Sequence, residues 1–103
     1  MINIQTPLRN KPLILIVDDN EFIRELIKSY LVPEDFTFIE ARNGEEAITE
    51  YLKNNPDVVL MDVVMPKMNG YQACKKLREL SGSYSLPIIM MTSLLKFRSS
   101  KTP

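Results

Sequence analysis

Apolar residues alternate along this chain between short unbroken runs and helical stripes. Leu13–Val17 (LILIV) lacks the in–out alternation of a half-exposed strand and predicts a strand buried on both faces. From Glu21 to Leu31 the apolar positions are Phe22, Ile23, Leu26, Ile27, Tyr30 and Leu31. That spacing predicts a helix with one buried stripe, leaving Glu21, Arg24, Glu25 and Lys28 on the wet side, and Pro33 ends it. Phe36–Ile39 predicts a short second strand. Residues 42–55 (RNGEEAITEYLKNN) predict a second amphipathic helix with Ala47, Ile48, Tyr51 and Leu52 inward. Asn43 or Gly44 is its expected start, and Glu45 and Glu46 suit its positive N-terminal end. Asp57–Met61 predicts a further doubly buried strand, and Tyr71–Leu80 a third helix with Ala73, Cys74, Leu77 and Leu80 on its apolar face. Residues 81–85 read as a turn. Pro87–Met91 predicts a fourth strand, in which Met90 and Met91 act as core filler. Residues 92–103 carry no clear pattern.

The order β-α-β-α-β-α-β with short connections predicts a doubly wound parallel sheet with helices on both faces. In such sheets, sites form beyond the carboxyl ends of the strands, where the strand order reverses. The polar residues there form a set: Asp18 and Asp19 after the first strand, Asp62 after the third, Thr92 and Ser93 after the fourth. A single aspartate after a strand is ordinarily a turn former or helix cap. If the first and third strands are neighbours, about 4.8 Å apart, their carboxylates converge, and three together need a cation. Mg2+ suits them, being a hard ion held by one or two carboxylates, waters and phosphate oxygens. An aspartate so neutralised can act as a nucleophile and form an aspartyl phosphate. The metal, Thr92 and backbone N–H groups would then meet the phosphoryl charge.

Composition narrows the alternatives. The chain has 103 residues, enough for one small domain, with 45% hydrophobic and 25% charged residues as in ordinary globular proteins. Thirteen basic and thirteen acidic residues cancel, so no net charge draws it to nucleic acid or to a membrane surface. Its longest apolar runs are about five residues, short of the roughly 20 that span a bilayer. One cysteine, Cys74, and an N-terminus without a secretory apolar segment lead to the expectation of a cytoplasmic protein. Cys74 reads as a core residue rather than a reactive one. There is no histidine, which removes imidazole bases, Ser-His and Cys-His nucleophile pairs and the common zinc sites.

The stretches LIVDDNEFIR, ARNGEEAI, DVVLMDVVMPKMNGYQ and LPIIMMTS, in that order, resemble the response-regulator receiver domain, the CheY-like module of two-component signalling. The resemblance covers Leu13 to Ser93, with residues 1–12 and 94–103 as tails. It implies a flavodoxin-like (CheY-like) fold and a non-enzymatic signalling role. It further implies that Asp62 accepts a phosphoryl group from a phosphohistidine on a histidine kinase or histidine phosphotransfer protein. Asp19 would be a direct Mg2+ ligand, Asp18 would act mainly through a metal-bound water, and the backbone carbonyl of Val64 would complete the protein ligands. Thr92 matches the switch hydroxyl. Pro66 and Gly70 would shape the loop before the third helix.

The pattern also departs from the family's. A complete receiver has five strand–helix units; the last strand and the last two helices find no counterpart in the ten residues after Ser93. The family's phosphoryl-contacting lysine has only Lys96 and Lys101 as candidates, and a solvated tail is the better reading of both. Without those elements the fourth strand is a bare apolar edge. Several hundred Å2 of uncovered apolar surface would forfeit on the order of 10 kcal/mol, so the expected state is a homodimer or domain-swapped oligomer through the fourth strand. The alternative functions are a receiver-derived binding or dimerisation module that no longer switches, or a truncated fragment. A haloacid-dehalogenase type of phosphoaspartyl enzyme would need an acid two positions after the nucleophile, where Val64 stands. No helix-turn-helix segment supports a DNA-binding output.

Overall fold

The computed structural model describes residues 10–65, 68–82 and 86–92. Its elements follow the predicted alternation: β1 (Leu13–Val17), α1 (Glu21–Leu31), a 3-10 turn (Val32–Glu34), β2 (Thr37–Ala41), α2 (Gly44–Asn54), β3 (Val58–Asp62), α3 (Gly70–Ser81) and β4 (Ile88–Met91). The strands form one parallel sheet in the order β2-β1-β3-β4. From β1 the chain winds out to β2, then crosses back to β3 on the other side. The order therefore reverses between β1 and β3, and their carboxyl ends flank the crevice.

Alternate residues of each strand face opposite layers. Leu15, Val17, Ala41, Val59 and Met61 form the core with Ala47 of α2, Ala73 and Leu77 of α3, and Met65. Ile14 and Ile16 are buried on the other face, which is the face of Glu40 and of α1. β1 is thus covered on both sides, as its unbroken apolar run requires.

Helix starts are set by side-chain caps. Asn43 accepts from Glu46 N at the start of α2, as expected, and Asn20 accepts from Ile23 N at the start of α1. α3 has a full capping box in which Asn69 accepts from Gln72 N while the Gln72 side chain accepts from Asn69 N. Asn69→Ala is expected to cost about 1 kcal/mol, read as a lowered denaturant midpoint with an unchanged slope.

Several expectations are corrected. β2 lies at Thr37–Ala41 rather than Phe36–Ile39, because its ladder runs from Leu13↔Thr37 to Val17↔Ala41 and Glu40 extends the strand while bonding Arg24 and Lys28. β3 begins one residue late, since Asp57 caps the ladder: its carboxylate accepts from Leu13 N at 2.7 Å and its N–H donates to Leu13 O at 2.8 Å. β4 starts at Ile88, because Pro87 lacks an N–H and offers only its carbonyl, to Val59 N. On α1 only part of the apolar stripe is inward. Ile23 is buried and Ile27 and Leu31 are half-buried, whereas Phe22, Leu26 and Tyr30 are exposed; Arg24, expected in water, is 8% exposed. Leu52 and Leu80 are also exposed rather than inward, and Cys74 is half-buried.

Candidate metal centre

The carboxyl end of β1 leads straight into the acidic pair. Asp18 N–H donates to Ala41 O of β2 at 3.0 Å, extending the ladder one residue past the strand. The chain then turns into α1, with the Asp18 carboxylate accepting from Asn20 N at 2.9 Å. The Asp18 side chain is thereby folded over the turn and buried, while Asp19 is exposed beside it.

Asp62 is the last residue of β3. Val17 pairs with Met61, so Asp18 and Asp62 stand side by side one step beyond that pair. One carboxylate oxygen each from Asp18, Asp19 and Asp62 lies within 4.8 Å of the others. Asp62 is 1% exposed, and its carboxylate accepts from Val64 N at 3.2 Å. Burial, reinforced by the neighbouring Asp18 carboxylate, pushes the Asp62 carboxyl up to about 6, against the opposing pull of the Val64 and Val63 N–H groups.

The backbone behind Asp62 is tightly packed. Gly70 N donates to Val63 O at 3.0 Å. A Cβ at Gly70 would lie 2.3 Å from the Asp62 carbonyl oxygen, 2.8 Å from Met90 Cε and 2.9 Å from Val63 Cα. Only glycine allows α3 to start this close to the end of β3. At Gly44, on the first turn of α2, a Cβ would meet the Met68 side chain at 2.8–2.9 Å, so Met68 rests directly on that helix start.

The predicted residues divide as follows. Asp18, Asp19 and Asp62 are brought together. Val64 sits on the exposed rim, two residues beyond Asp62. Thr92, also exposed, follows the Asp62↔Met91 pair and so stands beside Val63, whose N–H donates to Met91 O at 2.9 Å. Pro66, Ser93, Lys96 and Lys101 lie outside the described residues. Arg24 was missed by sequence reasoning: it reaches the acidic turn from α1, with Nη1 donating to the Asp18 carbonyl at 2.7 Å. Its acceptor is a backbone carbonyl, which the sequence does not display.

The donor set is all oxygen, dense in negative charge and partly dry. Those properties fit a hard divalent cation such as Mg2+ and would not suit a soft metal.

The sequence matches the response regulator receiver domain over residues 14–98. The chain belongs to that family. This receiver is 42% identical over 84 residues to the transcriptional regulatory protein ResD of Bacillus subtilis, covering 82% of this chain and 34% of ResD. Receiver structures superpose closely. The response regulator TrrA of Thermotoga maritima, solved in complex with Mg2+-BeF, gives a TM-score of 0.74 at 34% identity, covering 87% of this chain and 76% of that one. Vibrio cholerae CheY4 gives 0.73 at 32% identity, covering 88% and 78%. The chain spans about a third of the length of the curated relatives it matches. Among the described residues, no helix of the receiver is long and apolar enough to cross a membrane.

Proposed function

We propose that this receiver accepts a phosphoryl group on Asp62 from a phosphohistidine of a histidine kinase or histidine phosphotransfer protein, as a signalling domain rather than an enzyme. The carrying observation is the convergence of three carboxylates at the point where the strand order reverses. The Mg2+-BeF complex of the similar TrrA supports it. An Asp62 carboxylate oxygen forms the new bond to phosphorus as the phosphorus–nitrogen bond of the donor imidazole breaks. The imidazole nitrogen keeps the electron pair and takes a proton. Mg2+, when bound, supplies charge neutralisation; Asp18, Asp19, Asp62 and the Val64 carbonyl would hold it.

Each residue has a distinct task in this scheme. The Val64 N–H bond holds the Asp62 carboxylate in one orientation before the donor arrives. The Thr92 hydroxyl is the switch group, drawn toward the phosphoryl oxygens across the end of β3, so that a charge of about −1.5 to −2 is read as movement at the end of β4. The site of action is the cytoplasm, with neither nucleic acid nor membrane contacting these residues.

Incubation with Mg2+ and a small phosphodonor, followed by intact mass, is expected to show one added phosphoryl group, and none when chelator is present from the start. An unmodified chain would overturn the proposal.

A second function, self-association, is favoured by a separate observation. β4 is an edge strand in the described sheet, and Ile89 on it, with Phe22 and Tyr30 on α1, is exposed. A polypeptide of these 103 residues is expected to sediment as a dimer or larger species at micromolar concentration. A folded monomer would contradict this.

A further inference from the structure

Arg24 is the one basic side chain among the buried ones of the described residues, and phosphoryl acceptance by Asp62 does not by itself require it. Its Nη1 donates to the Asp18 carbonyl at 2.7 Å in a buried hydrogen bond, and its Nε donates to Glu40 Oε1 at 2.8 Å. Glu40 in turn accepts from Lys28 Nζ at 2.9 Å, and Lys28 also pairs with Glu25. The two Arg24 bonds run in different directions from one planar group, toward the end of β1 and toward β2.

Burying a guanidinium costs several kcal/mol unless its hydrogen bonds are made, and water was within reach: Lys28, one helical turn further on, carries its ammonium at a more open position. The Arg24 bonds fall at a position where they fix backbone rather than merely balance charge. Asp18 N–H is held by Ala41 O, Asp18 C=O by Arg24, and the Asp18 carboxylate by Asn20 N–H. The peptide planes on both sides of Asp18 are therefore set. The second of them, joining Asp18 to Asp19, fixes where Asp19 leaves the turn, and one Asp19 carboxylate oxygen lies within 4.8 Å of those of Asp18 and Asp62.

We infer that Arg24 is a positioning residue for the cation site: it locks the Asp18–Asp19 peptide so that both carboxylates face Asp62. Glu40 aims the guanidinium, and Lys28 keeps Glu40 ionised: the hydrogen bond from Lys28 is the main cause holding its carboxyl below the usual range, with Arg24 adding to it. Lysine is a poor substitute, since its single nitrogen would have to replace two separate donors of a rigid fork, Nη1 on the Asp18 carbonyl and Nε on Glu40. The inference rests on the cation reading of the acidic cluster.

The test compares the full chain with Arg24→Met, Arg24→Lys and Glu40→Gln, using Mg2+ titration by calorimetry and amide hydrogen exchange without metal. Val59→Ala, which opens a cavity in the amino half of β3 away from the carboxylates, serves as a control for general loss of stability. Mg2+ affinity is expected to fall at least about tenfold in Arg24→Met, less in Arg24→Lys and Glu40→Gln, and not at all in Val59→Ala. Exchange at Asp19 and Asn20 is expected to quicken in the Arg24 variants without metal. Wild-type affinity in Arg24→Lys and Arg24→Met, or unchanged exchange at Asp19 and Asn20, would overturn the inference. A wild-type chain that takes up no Mg2+ would instead overturn the cation reading, with exchange at Asp19 and Asn20 still deciding whether Arg24 locks the turn. If Arg24→Met does not fold, Arg24→Lys and Glu40→Gln carry the comparison.

Discussion

Asp62→Asn is expected to abolish phosphoryl uptake and, at pH 7 without metal, to make the protein more stable. The second effect follows from the raised carboxyl. A folded-state value of about 6 against an ordinary 3.8 means that the native state binds the Asp62 proton more tightly than the unfolded chain. Stability from this group is therefore full below pH 3.8 and is lost as pH rises through about 6. The wild type forfeits on the order of 3 kcal/mol across that window. Asparagine has no such ionisation. Its gain should approach zero near pH 4 and reach a Tm increase on the order of 10 °C at pH 7. Saturating Mg2+ should restore the wild type at neutral pH and help the variant much less. Thermal melts from pH 4 to 8, with Mg2+ and with chelator, measure all of this; a wild type whose metal-free stability rises over that range would contradict it.

Gly70→Ala is expected to have the second large effect, through backbone geometry rather than charge. The added methyl would sit 2.3 Å from the Asp62 carbonyl oxygen and 2.9 Å from Val63 Cα, both backbone atoms that cannot swing aside. Either α3 shifts outward or the end of β3 moves, and the Gly70 N–H to Val63 O bond is strained in both cases. The cost should be about 3 kcal/mol, at the upper end of overpacking effects. Phosphoryl uptake should drop even under conditions where the variant is fully folded, because Asp62 and the Val64 N–H that holds it share the displaced segment. Denaturant unfolding and intact mass after phosphodonor treatment separate the two losses. Wild-type stability in Gly70→Ala would contradict the close approach.

The parts of this site that were legible in the sequence are those set by runs and ends. LILIV could only be a doubly covered strand, and its two following aspartates had to lie at the carboxyl edge. The order β2-β1-β3-β4 then brings Asp18 and Asp19 to Asp62. Asn43 was legible as a cap because a small polar residue precedes a glycine and two glutamates. Side-chain burial on α1 was not legible, since periodicity reports apolar spacing and not what covers it. Phe22 and Tyr30 satisfy the stripe yet stay exposed, and Arg24 breaks it yet is buried. A guanidinium goes inward when two acceptors await it, and here one is the backbone carbonyl of Asp18, which sequence does not display. The shift of β2 has a similar origin. Glu40 reads as a strand end, but its two cationic partners on α1 let it remain within the ladder.

Locating the phosphoryl group tests the proposed role of Asp62 most directly. The chain would be treated with phosphodonor and Mg2+, trapped by borohydride reduction of the acyl phosphate, and mapped by peptide mass spectrometry. Reduction at position 62 alone is expected, and none in the chelator control. Reduction at Asp18, Asp19 or any other carboxylate, or a stable ester at Thr92 with Asp62 untouched, would contradict it.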